Sequence, residues 1–91
     1  MEDKEDQEPN YTIEFRERRG SGRRAIVAAR HVATRLESRR DDDRSDARFV
    51  VTGGDRQARI DVYGRFKVST AEWILGQTDC NYTIKNVRKR V

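Results

Sequence analysis

The sequence predicts one small α+β domain in which two helices cover a single face of an antiparallel sheet. Three observations carry this. Residues 59–68 alternate, with Ile60, Val62, Phe66 and Val68 on one parity and Arg59, Asp61, Tyr63, Arg65 and Lys67 on the other. That is the pattern of a strand with one buried and one wet face. Residues 22–39 gather Ala25, Ala28, Ala29, Val32, Ala33 and Leu36 on one side of a helical wheel, the stripe of an amphipathic helix. Finally, 91 residues of which 34% are apolar and 40% charged hold one modest core, enough to cover one side of a sheet and not both.

Taken in order, residues 1–10 hold five acids against Lys4, the only proline (Pro9) and no apolar periodicity. They read as a disordered acidic tail before a domain spanning 11–91. Tyr11, Ile13 and Phe15 alternate with Thr12, Glu14 and Arg16, a first strand. The stretch from Arg16 to Arg24 is a loop with five arginines among nine residues. A helix over 22–39 follows, with Ser21 as its N-cap. Its outer side carries Arg23, Arg24, Arg30, His31, Thr34, Arg35, Glu37 and Ser38, and Val27 is the misfit. The run Asp41-Asp42-Asp43-Arg44-Ser45-Asp46 ends the apolar pattern and makes a charged connection.

Phe49 and Val51 begin a short second strand, and Thr52-Gly53-Gly54-Asp55 is a hairpin turn, because glycine takes the positive φ such turns need. The third strand runs over 57–68 with Gly64 as a bulge or a close backbone approach; a second turn at Tyr63-Gly64 would instead add a strand. Ser69-Thr70-Ala71-Glu72 matches a capping box, and Val68 and Trp73 occupy the positions of a hydrophobic staple. A short helix over 70–75 is expected, stopping at Gly76 and holding Trp73 in the core. Tyr82 to Val87 is the last strand, followed by Arg88-Lys89-Arg90. The order β-α-β-β-α-β is that of a split β-α-β sandwich of the ferredoxin-like kind.

The formal charge of +4 conceals an asymmetry: residues 1–10 carry −4, and the rest of the chain has 19 basic and 11 acidic side chains, a net of +8. Such a body attracts polyanions at long range. Two anion-binding candidates stand out. The first is the arginine loop and helix start, Arg16, Arg18, Arg19, Arg23 and Arg24, interleaved with Gly20 and Gly22. A cation in the first helical turn is disfavoured by about 0.3–1 kcal/mol, so stability alone does not explain Arg23 and Arg24. Backbone N–H groups and clustered guanidinium groups make a phosphate cradle. The second is the open sheet face, where Arg59, Tyr63, Arg65 and Lys67 are joined by Arg16 and Lys85 of other strands. An aromatic among cations on an open sheet is how several RNA-binding folds hold their ligand, although Asp61 and Glu14 dilute the charge and the paired stacking aromatics of an RNA-recognition motif are absent.

Other chemistries find little support. Gly20-Ser21-Gly22-Arg23-Arg24-Ala25 fits a dinucleotide glycine pattern, but the preceding strand alternates and no acid closes the next strand. Asp41, Asp43 and Ser45 begin like a calcium loop that lacks its glycine and its final glutamate. His31 lies on the wet face of the helix, Cys80 is the only cysteine and sits beside Asp79, and no nucleophile is paired with a base. No enzyme, cofactor or metal is therefore expected. With no signal peptide and a longest apolar run of Ala25 to Ala29, far short of a membrane span, the expected location is cytoplasmic. The expected function is a non-enzymatic module that contacts nucleic acid, RNA or DNA, through its phosphates. The alternative is a protein-interaction module, an adaptor or inhibitor of the kind encoded by phages and mobile elements, docking on an acidic partner or a nucleic-acid-handling complex. A homodimer formed through the open sheet face is the third reading.

Overall fold

A computed structural model describes residues 8–17, 24–78 and 80–86. The elements run β1 (Tyr11–Arg16), α1 (Ala25–Asp43), β2 (Arg48–Gly53), β3 (Gln57–Tyr63), α2 (Val68–Leu75) and β4 (Asn81–Asn86). The four strands form one sheet in the order β2-β3-β1-β4, with every neighbouring pair antiparallel. This is the α+β class and element order that the sequence predicts.

Strand alternation sorts the side chains. Ile13 lies across from Ile60 and Ile84, and Phe15 across from Ala58 and Tyr82; with Phe49, Val51 and Val62 these residues face the helices. Thr12, Glu14, Arg59, Asp61, Val50, Thr83 and Lys85 share the other face by the same register. The alanine stripe of α1 then does what its small side chains permit: Ala25, Ala28, Ala29, Val32, Ala33 and Leu36 are all buried against the sheet. Near-complete burial of Ile13, Phe15, Val32, Leu36, Ile60, Val62 and Leu75 marks the centre of the core. Arg35 ties the long helix to the turn after α2 at the surface, donating to Gln77 Oε1 at 2.6 Å.

Several boundaries differ from expectation. Helix α1 has Arg24 as its N-cap, with no side-chain cap bond; Ser21 lies outside the described residues. The helix also continues through the three aspartates. Arg39 pairs with Asp43 one turn on at 3.3 Å, a spacing that supports the helix through this acidic run, and Arg40 also contacts Asp41 at 3.1 Å. Arg44, at φ 55, ends it in the left-handed region, and Ser45 N–H closes the turn on the Arg40 carbonyl at 3.0 Å.

Strand β3 stops at Tyr63, not at residue 68. Gly64, at φ 82, turns the chain against the α1–β2 connection, where an added Cβ would stand 3.0 Å from Ala47 Cα and from the Asp46 carbonyl. The loop that follows is stitched down by four groups. Asn10 Nδ2 donates to the Gly64 carbonyl, Ser45 Oγ to the Arg65 carbonyl, Arg65 N–H to Asp46 Oδ1 at 3.3 Å, and Tyr11 Oη to the Phe66 carbonyl at 2.9 Å. Phe66 keeps a core position from this loop, edge-on to Phe49 with ring centres 5.0 Å apart.

Helix α2 begins at Val68, with Lys67 as an N-cap that makes no side-chain bond. Ser69 is thereby inside the helix, so neither the capping box nor the staple forms. Ala71, Ile74 and Leu75 make the buried stripe. Trp73 stands about 200° around the wheel from Ala71 and is 59% exposed, not a core residue.

Candidate anion-binding surface

The chain on either side of the arginine segment is fastened to one place. Glu17 N–H donates to the Arg56 carbonyl at 2.9 Å, and Ala25 N–H donates to the Asp55 carbonyl at 2.6 Å. Arg16 is the register partner of Gln57. The β2–β3 hairpin that receives these contacts owes its shape to Gly53, at φ 121, whose missing Cβ would sit 2.4 Å from Ala58 Cα. Gly54 N–H closes the turn on the Gln57 carbonyl at 2.7 Å. This end of the sheet therefore assembles Arg16, Arg24, Arg56 and Arg59 from three separate segments. A shallow pocket of about 320 Å³ lies among Glu14, Arg16, Thr52, Gln57 and Arg59.

The predicted site residues separate into groups. Arg16 and Arg24 are exposed at the hairpin end, where among the described residues Arg24 makes only a long pair with Asp55, 3.9 Å between two well-solvated side chains. Arg18, Arg19 and Arg23 lie outside the described residues. Arg59 reaches back along β3 to Asp61, with Nε 2.9 Å from Oδ1. That oxygen is buried and lies off the donor direction, so the contact is an ion pair and not a hydrogen bond. Lys85 is held by Glu14 at 3.4 Å. The centre of the open face is thus self-neutralised, which the alternation pattern did not reveal.

Tyr63 is half-buried, and the Arg48 guanidinium lies 4.7 Å above its ring. One face of the ring is already covered. Arg65 and Lys67 are exposed but belong to the loop between β3 and α2, so they are not on the sheet face with Arg59. Together with Asn10, Tyr63 and Arg48, Arg65 lines a second cleft of about 410 Å³ at the end of the sheet opposite the hairpin.

The sequence reading missed Arg56. It is exposed, and among the described residues it makes no ion pair. Its signal was available, since it follows the Gly53-Gly54 turn and must sit at the hairpin end. The helix start is less open than expected, because the Asp55 carbonyl takes the Ala25 N–H, one of the donors that a helix start leaves free. The cationic groups of this end are side chains.

Cys80 is half-buried with its Sγ 3.2 Å from Thr78 Oγ1, and His31 is exposed. Among the described residues, no group of three or more His, Cys, Asp or Glu side chains is placed to hold a metal, and no helix is long and apolar enough to cross a membrane. No family model, curated protein or solved structure matches the chain.

Proposed function

We propose that the chain is a non-enzymatic binding module that holds nucleic acid by its phosphates at the hairpin end of the sheet. One observation carries the reading: both flanks of the arginine segment are bonded to Asp55 and Arg56. The segment between those anchors contains Arg18, Arg19 and Arg23, and the anchors themselves present Arg16, Arg24 and Arg56. Guanidinium groups hold phosphate oxygens in a bidentate fork, and a body of net +8 outside its first ten residues draws a polyanion in. Sequence preference is weak, because contacts to phosphate position a ligand without reading its bases. An anisotropy titration with labelled single-stranded and duplex oligonucleotides tests this. Binding falls steeply with salt, and the triple variant Arg16→Ala/Arg24→Ala/Arg56→Ala loses about two to three from the slope of log K against log salt on duplex. Substituting Arg19, Arg23 and Arg24 by Ala weakens all sequences alike. No binding by the unaltered protein at low salt would falsify the reading.

A protein-interaction module is the second reading, and strand β2 favours it. This edge strand holds one charged residue, Arg48, among six, and Val50 is 39% exposed on its open face. Edges are usually blunted by charge, proline or a bulge, and an unblunted one receives a partner's strand. A stoichiometric protein partner that survives nuclease treatment would support this reading. A mass of twice the chain by light scattering would identify that partner as a second copy.

A further inference from the structure

Strand β2 lies at the edge of the sheet, and its pairing with β3 fixes which of its backbone groups face outward. In an antiparallel ladder, opposed residues alternate between pairs that exchange hydrogen bonds and pairs that do not. Gly54 N–H donates to the Gln57 carbonyl at 2.7 Å. In the same register Thr52–Arg59 and Val50–Asp61 are bonded pairs, whereas Val51–Ile60 and Phe49–Val62 are not. The Val62 carbonyl agrees, because it accepts the Asn10 N–H on the side of β3 away from β2. Phe49 and Val51 therefore point their N–H and C=O groups out of the sheet. Six consecutive pairs pass without a bulge or a proline, and among the described residues no strand meets this edge. The side chains beside these groups are apolar. Phe49 and Val51 are partly buried on the helix side, and Val50 is exposed on the open side.

We propose that β2 pairs with β2 of a second copy, antiparallel about a two-fold axis at Val50, joining two four-stranded sheets into one. This names the partner of the β2 edge and rests on the protein-interaction reading above. In this register Phe49 of each copy exchanges both backbone hydrogen bonds with Val51 of the other. Val50 meets its own symmetry mate, and Arg48 lies across from Thr52. Apolar side chains thus face apolar ones, the cross-strand pairs that stabilise a sheet. The strand's single charge, Arg48, stands at one end. Antiparallel pairing holds the two copies of it four positions apart, about 13 Å, beyond the screening length of about 10 Å at 0.1 M salt. An axis at Val51 would instead set Phe49 against Gly53, whose φ of 121 leaves the extended range. A two-fold contact also closes, whereas β2 laid on β4 of the next copy would leave free edges and grow. One strand against one strand lies at the small end of the interface range, below about 1,200 Å², so the dimer forms as concentration rises.

Light scattering and amide exchange on the full chain test this. The mass rises from one chain to two with concentration. Over the same range the Phe49 and Val51 amides become protected, while those of Val50 and Thr52, already bonded to β3, do not change. Val50→Lys sets like charges directly opposite each other at the axis and weakens association at least about tenfold. Val50 is exposed, so the dilute variant unfolds at the same urea concentration as the parent. Thr83→Lys, on the open face three strands away, leaves the dimer intact. A mass of one chain up to millimolar protein overturns the proposal. A dimer that survives Val50→Lys, that Thr83→Lys abolishes, or that leaves the Phe49 and Val51 amides unprotected lies on another surface and overturns it too. The wider protein-interaction reading is decided separately, by whether the parent captures a stoichiometric, nuclease-resistant partner that Val50→Lys loses.

Discussion

Tyr11 works on two levels. Its ring is part of the core, 3% exposed, and its hydroxyl holds the β3–α2 loop through the Phe66 carbonyl. Burial raises its pKa well above the usual tyrosine value near 10. The sign of the pH effect follows from that direction. Above pH 10 the unfolded chain releases this proton while the folded chain keeps it, so the unfolded state binds fewer protons and stability falls as pH rises. The contribution of this group is fully present below pH 10 and is lost progressively above it. Urea denaturation across pH 8–11 measures this, and Tyr11→Phe should flatten that part of the alkaline decline. At neutral pH the same variant costs about 1–2 kcal/mol, because the Phe66 carbonyl loses its donor in a buried place. Gly64→Ala should cost at least as much, about 1–3 kcal/mol, since it combines a positive φ with a Cβ pressed against Ala47 and Asp46. Arg59→Ala needs a stability control in any binding assay. It strips from Asp61, whose side chain is only 12% exposed, the one close cation among the described residues, and removing one partner of such a pair costs about 1–3 kcal/mol.

At the scale of elements, α2 separates what local sequence specifies from what packing decides. Ser69-Thr70-Ala71-Glu72 and the flanking Val68 and Trp73 satisfy the capping-box and staple rules, yet the helix starts at Val68 and turns Trp73 outward. The deciding contacts lie far away in the chain: Tyr11, Asn10 and Ser45 pin residues 64–66, and that fixes where the next element begins. Ser69→Ala is therefore expected to change stability by less than about 0.5 kcal/mol, where a lost N-cap would cost about 1 kcal/mol. Trp73→Ala should likewise cost under about 1 kcal/mol, against about 2–4 kcal/mol for Ile74→Ala. Thermal and urea unfolding of the three variants checks all of this. Strands and the long helix were legible because their periods are 2 and 3.6 and their apolar faces agree with the register. The ends of β3 and α1 were not, because a glycine braced against a distant loop and ion pairs one turn apart leave no periodic trace.

For the whole molecule, charge was readable in amount but not in arrangement. The excess of arginine is plain from composition, and the segment 16–24, with five of the sixteen arginines, is plain from spacing. Pairing of Arg59 with Asp61 and Lys85 with Glu14 depends on side chains reaching along and across strands, so a face that looked basic is balanced at its centre. At the hairpin end, Glu17 and Ala25 are tied to Arg56 and Asp55, and Arg16 and Arg56 stand there exposed. The layers themselves are uneven. Helix α1 packs on β1, β2 and β3, whereas β4 makes its only extensive contact with β1, and Tyr82 on its helix side is 38% exposed. A strand with one neighbour among the described residues detaches at little cost. Deuterium should enter the amides that join β4 to β1 orders of magnitude faster than those that join β1 to β3, whose protection ends only when the entire protein unfolds.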